Sequence, residues 1–335
     1  MENIYKQLEQ LLAKVDFAEI WTGFEPCEFA VFSQQTVLMR DGQIPWDERF
    51  MASTVITFEG RRLAIWYVET FDNLDLERTA AGLVHEMFHA LQGDQGDRRG
   101  PDDFKFLTYP ADINNYELKY AENRHLAAAY TEQCPVHLAQ FAALRRARHR
   151  LVGDVIKNEW LCETGEGLAE FAGLMALRQL SPQKCAEDVQ RYLDWLQDPA
   201  SIFELGMRRI SYVVGSVLAL TLGKLGVDFA HHLSDKRTLF ELMPNNPSDV
   251  EVHFENSRQA LQEKFDKTRN SGVKVARNAR MTGFDPMNMW RIGDEILCER
   301  FVMLDGEYMQ GPVLLEMQAG TMQDVVAFTQ KTKEA

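Results

Sequence analysis

Apolar residues recur at helical spacing from the start of the chain. Ile4, Leu8, Leu11, Leu12 and Val15 predict an amphipathic helix from Glu2 to about Ile20. The texture then changes. From about Glu28 to Glu69, β-branched and aromatic runs at Phe29 to Leu38, Thr54 to Phe58 and Leu63 to Val68 predict a small antiparallel sheet, with Glu59-Gly60 turning between the last two. Asp72 or Asn73 then offers an N-cap and Gly93 a C-cap, so a helix is expected over about 74–92. Gly93, Gly96, Gly100, Pro101 and Pro110 mark 93–112 as a long loop, a length that often covers or serves a site.

Helical periodicity resumes at about 114–131, 136–152, 155–180, 183–197 and 201–224, punctuated by Pro135, Gly153, Pro182 and Pro199, and again at 248–269. Strand-like runs at Glu295 to Leu304 and Pro312 to Glu316 surround Asp305-Gly306. The expected fold is α+β, a small antiparallel sheet packed on a mainly helical bundle. Its first domain spans 1–270, with the sheet at about 28–70 and the helical part at about 72–270. A β-rich extension follows at 271–335.

Composition narrows the function. With 335 residues, 45% of them apolar, the chain can build a substantial core. A net charge of −14 argues against non-specific attraction to nucleic acid or to an anionic membrane surface. The first residues lack a basic stretch followed by an apolar run, and no segment approaches roughly 18–20 continuous apolar residues. We therefore expect a soluble, cytoplasmic protein. Cys27, Cys134, Cys162, Cys185 and Cys298 are odd in number and form no Cys-x-x-Cys pair, which points to reduced thiols.

The chemistry centres on His85-Glu86-Met87-Phe88-His89. Residues four apart share a helix face, so His85 and His89 can direct nitrogens at one metal ion with Glu86 close by. Zinc suits neutral imidazole, and three protein ligands leave a position for a water acidified toward about pH 7, whose proton Glu86 can take. The third ligand is expected from Glu159-Trp160-Leu161-Cys162-Glu163-Thr164-Gly165-Glu166-Gly167-Leu168-Ala169-Glu170-Phe171. Here Glu159, Glu163, Glu166 and Glu170 crowd one helix face, which is unfavourable unless positive charge lies opposite; a zinc ion and arginines would relieve it. Gly165, Gly167 and Gly173 in the same helix point to close approach of neighbouring backbone.

His-Glu-x-x-His followed by Glu-Gly-x-Ala-x-aromatic resembles the gluzincins, the zinc peptidases that include thermolysin and the zinc aminopeptidases. The resemblance implies a zincin-like fold, zinc (Zn2+) as cofactor, and a peptide or protein substrate. His85 and His89 match the histidine ligands, Glu86 the general base and Glu166 the third ligand, with Glu163 and Glu170 as carboxylates that orient the histidines. His89 and Glu166 stand 77 positions apart, several times the usual gap, so Glu163 and Glu170 stay open as rival ligands. Tyr212-Val213-Val214-Gly215 matches the Tyr-x-x-Gly whose tyrosine hydrogen-bonds the oxyanion in the aminopeptidases. Their glycine-rich, glutamate-bearing segment upstream of the metal helix is not found, which weakens an aminopeptidase assignment.

Other features admit other readings. Arg208 and Arg209 can reach the same cavity or be surface charge. The run Arg145-Arg146-Ala147-Arg148-His149-Arg150 is expected to pair with carboxylates or line the acidic helix rather than bind nucleic acid. His231-His232 reads as a polar helix end, and the strand at Leu63 to Val68 as an edge for an extended peptide. Glu86-Met87-Phe88-His89 and Glu122-Asn123-Arg124-His125 both fit the Glu-x-x-His of ferritin-like di-iron proteins, but the broken 93–112 interval and the extra His85 argue against that fold. A non-catalytic zinc-binding domain would have no need of Glu86.

Overall fold

A computed structural model of the chain describes all residues except 1, 111, 228, 230–232, 234–235, 244–257, 320, 322 and 331–335. His231 and His232 lie outside the described residues, as does the start of the helix expected at 248–269. The architecture is mixed α+β.

The first amphipathic segment is two helices, α1 (Glu2–Leu12) and α2 (Phe17–Ile20), because Asp16 caps a new start by accepting from the Glu19 N–H at 3.0 Å. A five-stranded sheet follows: β1 (Glu28–Phe32), β2 (Thr36–Met39), β3 (Gly42–Pro45), β4 (Thr54–Phe58) and β5 (Arg61–Tyr67), in the order β3-β2-β1-β5-β4. It is mixed rather than antiparallel. β1 and β5 run parallel, with Phe29 opposite Ala64 and Val31 opposite Trp66, because the β4–β5 hairpin docks with its second strand against β1. The hairpin tip needs positive φ at two successive residues, supplied by Glu59 (49°) and Gly60 (77°). β5 is therefore interior, not an edge. The edge on that side is β4.

α3 (Leu76–Asp94) crosses beneath this sheet. Its N-cap is Asp75, accepting from the Arg78 N–H, rather than Asp72 or Asn73, and Gly93 lies within the helix, which ends at Gln95. The stretch read as a loop contains α4 (Asp103–Leu107). The helical layer continues with α5 (Ile113–Glu132), α6 (Pro135–Val152), α7 (Ile156–Leu180), α8 (Pro182–Gln197) and α9 (Ser201–Lys224), close to the expected bounds. α9 is kinked at Gly206, whose φ is 76°. It is long and apolar enough to cross a membrane, yet 78% of its most apolar stretch is buried inside the protein, as in a core helix.

Close backbone contact explains the glycines of α7. A Cβ on Gly167 would meet Gly215 Cα of α9 at 2.5 Å, one on Gly173 would meet the Ala81 carbonyl of α3 at 2.9 Å, and one on Gly165 the Arg99 carbonyl at 2.9 Å. Gly82 of α3 likewise takes the ring of Trp66, 2.5 Å from where a Cβ would stand, and so seats β5 on the helix. The core between the layers is apolar, with Leu83, Val84, Met87 and Phe88 buried and Trp21 and Phe24 packed edge-on against Phe88.

Two short helices, α10 (Leu239–Leu242) and α11 (Arg258–Ser271), lead to a seven-stranded sheet. Its strands are β6 (Val273–Phe284), β7 (Met289–Ile292), β8 (Glu295–Cys298), β9 (Phe301–Leu304), β10 (Glu307–Gln310), β11 (Val313–Met317) and β12 (Asp324–Gln330), ordered β10-β9-β6-β12-β11-β8-β7. The run read as Glu295 to Leu304 is thus two strands, interrupted at Glu299-Arg300. This sheet has its own core, from Met281 to Phe328, and buries Phe265 of α11 against Trp290, Leu297 and Leu314.

The basic run of α6 lies inside the helical layer. Arg145 and Arg148 are fully buried and bind Glu122, Glu159 and Glu163, while Lys119 Nζ stands 3.1 to 3.2 Å from all three carboxylates. Three cations and three anions close this cluster, as buried charge requires. The arginines and the lysine hold half of the acidic face of α7. Burial resists ionisation of Glu122, but Arg145, Arg148 and Lys119 outweigh it and hold the carboxyl at about 2. Burial pushes Glu163 the other way, upward.

Candidate metal centre

The other half of that face meets the histidines. The 3.6-residue turn stacks His85 and His89 on one side of α3, and α7 crosses there because Gly173 lets the backbones approach. His85 Nε2 and His89 Nε2 are 3.2 Å apart, His89 Nε2 and Glu166 Oε2 3.0 Å, and His85 Nε2 and Glu166 Oε2 3.8 Å. Zinc held by nitrogen and oxygen ligands at about 2.0–2.1 Å separates tetrahedral ligand atoms by about 3.3 Å. The triangle fits such an ion.

The hydrogen bonds behind the imidazoles fix their chemistry. The Gln92 amide nitrogen donates to the Gly165 carbonyl at 2.9 Å, which turns its oxygen toward His89 Nδ1 at 2.7 Å. His89 must therefore carry its proton on Nδ1 and present a lone pair at Nε2. His85 Nδ1 stands 3.0 Å from Glu170 Oε2, and the Tyr192 hydroxyl donates to the other Glu170 oxygen. With His85 neutral, two imidazole lone pairs and a carboxylate converge, and acceptors this close repel unless a proton or a metal ion lies between them.

The electrostatics say the same. Burial disfavours charge on His85, but its bonds with Glu166 and Glu170 prevail and lift it to about 10. Burial also opposes ionisation of Glu166, yet His89, His85 and Arg208 hold it well below the usual carboxylate range. The site attracts positive charge.

Glu86 is buried at the cavity wall, and its carboxylate has no hydrogen-bond partner among the described residues. Burial raises it above the ordinary carboxyl range, with His85 and His89 pulling the other way. Tyr212 lies with its ring parallel to that of His85, centroids 5.9 Å apart, and its hydroxyl accepts from Arg208. Because a guanidinium only donates, the phenol proton stays free to point into the cavity. Burial keeps that phenol protonated, well above its ordinary range. Arg208 also donates to Glu166 Oε1 at 3.0 Å and to Asp103 at 2.7 Å.

Of the sequence candidates, His85, His89 and Glu166 come together, with Glu86 and Tyr212 on the same cavity of about 770 Å3. Glu170 stands behind His85 rather than among the converging atoms. Glu163 does not orient a histidine: Arg145 and Lys119 bind it in the buried ion cluster. The second Glu-x-x-His is engaged elsewhere, Glu122 by Arg145 and Arg148 and His125 by His137 at 3.0 Å. Gln92 and Tyr192 were missed. Gln92 follows His89 by three residues on the same face, which was a usable signal; Tyr192 had none.

The cavity is walled by Ser53, Thr54 and Tyr67 on the sheet side and by α8 and α9 opposite. Asp285–Asn288 and Arg300-Phe301 of the C-terminal sheet close it. No protein-family model, no curated protein and no solved structure matches the chain.

Proposed function

We propose that this protein is a zinc-dependent hydrolase, a gluzincin-type peptidase with a zincin-like fold over 1–270 and a β-rich extension over 271–335, acting on peptides or proteins in the cytoplasm. The observation that carries the reading is the convergence of His85 Nε2, His89 Nε2 and Glu166 Oε2 beside the unpartnered Glu86 on a cleft. A bound zinc ion supplies a Lewis acid and lowers the pKa of its water toward about 7.

The chain's own groups then have separable tasks. His85, His89 and Glu166 would hold the ion, and Glu170 and Gln92 keep each imidazole turned with its lone pair forward. Glu86, a raised carboxyl with free lone pairs, takes the water proton and can return it to the departing amine. The Tyr212 hydroxyl donates to the oxygen that gains charge when the carbonyl becomes tetrahedral, and Arg208 fixes that hydroxyl. The unpaired outer edge of β4, which begins at the cavity with Thr54, suits an extended peptide added as a further strand. All five cysteines are unpaired, in keeping with a reducing compartment.

The test is hydrolysis of a mixed peptide library by zinc-loaded protein, beside Glu86→Gln. Cleavage by the wild type, with a loss of about 10²-fold or more in the variant and no loss of zinc, is expected. Unchanged cleavage by Glu86→Gln would remove Glu86 from the mechanism.

A further inference from the structure

The C-terminal sheet closes the cleft with a charge that has no counterpart among the described residues. Arg300, in the turn between β8 and β9, is exposed, and its guanidinium lies 4.7 Å from the centroid of the Tyr67 ring. Its side chain has no ion pair or hydrogen bond with any described residue. Arg209, exposed on α9, lines the same cavity and is likewise without a partner among the described residues. The other cations of the cleft are neutralised: Arg78 and Arg191 by Asp188, and Arg208 by Glu166 and Asp103. Asp285 directs its oxygens at the Met287 N–H and the Asn288 side chain. Two uncompensated guanidinium groups thus face one cleft in a chain of net charge −14.

We propose that Arg300, assisted by Arg209, binds a carboxylate of the substrate, so that the cleft selects acidic peptides. The inference deepens the peptidase reading and rests on it. A guanidinium is a planar fork suited to a carboxylate, and stacking on an aromatic ring fixes its plane while leaving its N–H edge open. Tyr67 ends β5 beside the start of β4, since its N–H donates to Ser53 Oγ at 2.9 Å. Arg300 therefore lines the same cavity as Ser53 and Thr54 at the start of β4, where a peptide added to that strand would reach it. The carboxylate is either an Asp or Glu side chain or a free chain end.

Binding of peptides carrying a neutral fluorophore to full-length Glu86→Gln protein, read by anisotropy at low salt, tests this apart from turnover; hydrolysis by the zinc-loaded wild type is measured in parallel. One peptide pair differs only as internal Glu against Gln, a second only as terminal acid against amide. The acidic member of one pair should bind and be cleaved about five- to tenfold better, and that pair names the source of the carboxylate. Arg300→Ala should abolish the preference and Arg300→Glu should transfer it to a lysine peptide. Ratios near one in both pairs, or a preference that survives in the Arg209→Ala, Arg300→Ala double variant, overturn the proposal. Hydrolysis without charge preference removes the carboxylate site and leaves the peptidase; charge-dependent binding without hydrolysis of any peptide does the reverse.

Discussion

Replacing Gly215 with alanine should separate the two helices that carry the ends of the candidate site. A Cβ there would stand 2.0 Å from the Glu163 carbonyl oxygen of α7 and 2.8 Å from Gly167 Cα. Carbon and carbonyl oxygen normally approach no closer than about 3.3 Å, so α7 and α9 must part by roughly 1 Å. Overpacking costs about 1–3 kcal/mol, and a clash of backbone against backbone, which no rotamer relieves, falls at the upper end or beyond. Alanine returns about 1 kcal/mol of helix propensity. The net expectation is a loss of about 2 kcal/mol or more in the free energy of unfolding, read from urea titrations by circular dichroism. Gly223 of the same helix is the internal control. Its added Cβ meets only Phe229 at 3.8 Å, an ordinary contact, so Gly223→Ala should stabilise by about 0.5–1 kcal/mol. The reasoning fails if Gly215→Ala is within about 0.5 kcal/mol of wild type, or if the Gly223 variant is the weaker of the two.

The buried ion cluster and the imidazole supports give two further tests. Because Glu122 is held at about 2 when folded, against about 4.3 unfolded, its contribution is complete above the unfolded value and is lost as pH falls from about 4.5 toward 2. Glu163, pushed upward by burial, works the other way and gains stability as it takes a proton. The Glu122 share of the unfolding free energy should therefore fall between about pH 4.5 and 2, and Glu122→Gln, if it folds, should flatten that slope; a slope identical to wild type contradicts the assignment. Gln92→Leu should lower zinc affinity about 10- to 100-fold by releasing the His89 ring. Unaltered affinity in a chelator competition would mean that Gln92 does not orient the ligand.

What the sequence made legible was local. The period of the helices, their proline and glycine punctuation, and the stacking of His85 on His89 all follow from rules that act within a few turns. The crowding of four glutamates on α7 was a sound signal with two separate causes. Glu166 and Glu170 face the histidines, whereas Glu159 and Glu163 face Lys119, Arg145 and Arg148. Only the crossing of α5 and α6 over α7 decides that division. The glycines announced that some backbone came close but not which one. Strand direction was the weakest point. The runs of β1 and β5 read the same whether parallel or antiparallel, and parallel pairing appears only once the β4–β5 hairpin has docked, which is also what makes β4 the edge. Tyr192 comes to Glu170 from the neighbouring helix, and nothing near either residue signals the meeting.

The claim on which the rest depends is that His85, His89 and Glu166 hold one zinc ion. Titration of metal-free protein with zinc against a chromophoric chelator, on wild type and Glu166→Gln, tests it most directly. One zinc per chain is expected, with affinity reduced at least about tenfold in the variant through loss of an anionic ligand. Failure to bind stoichiometric zinc, or equal affinity in the two proteins, would contradict it.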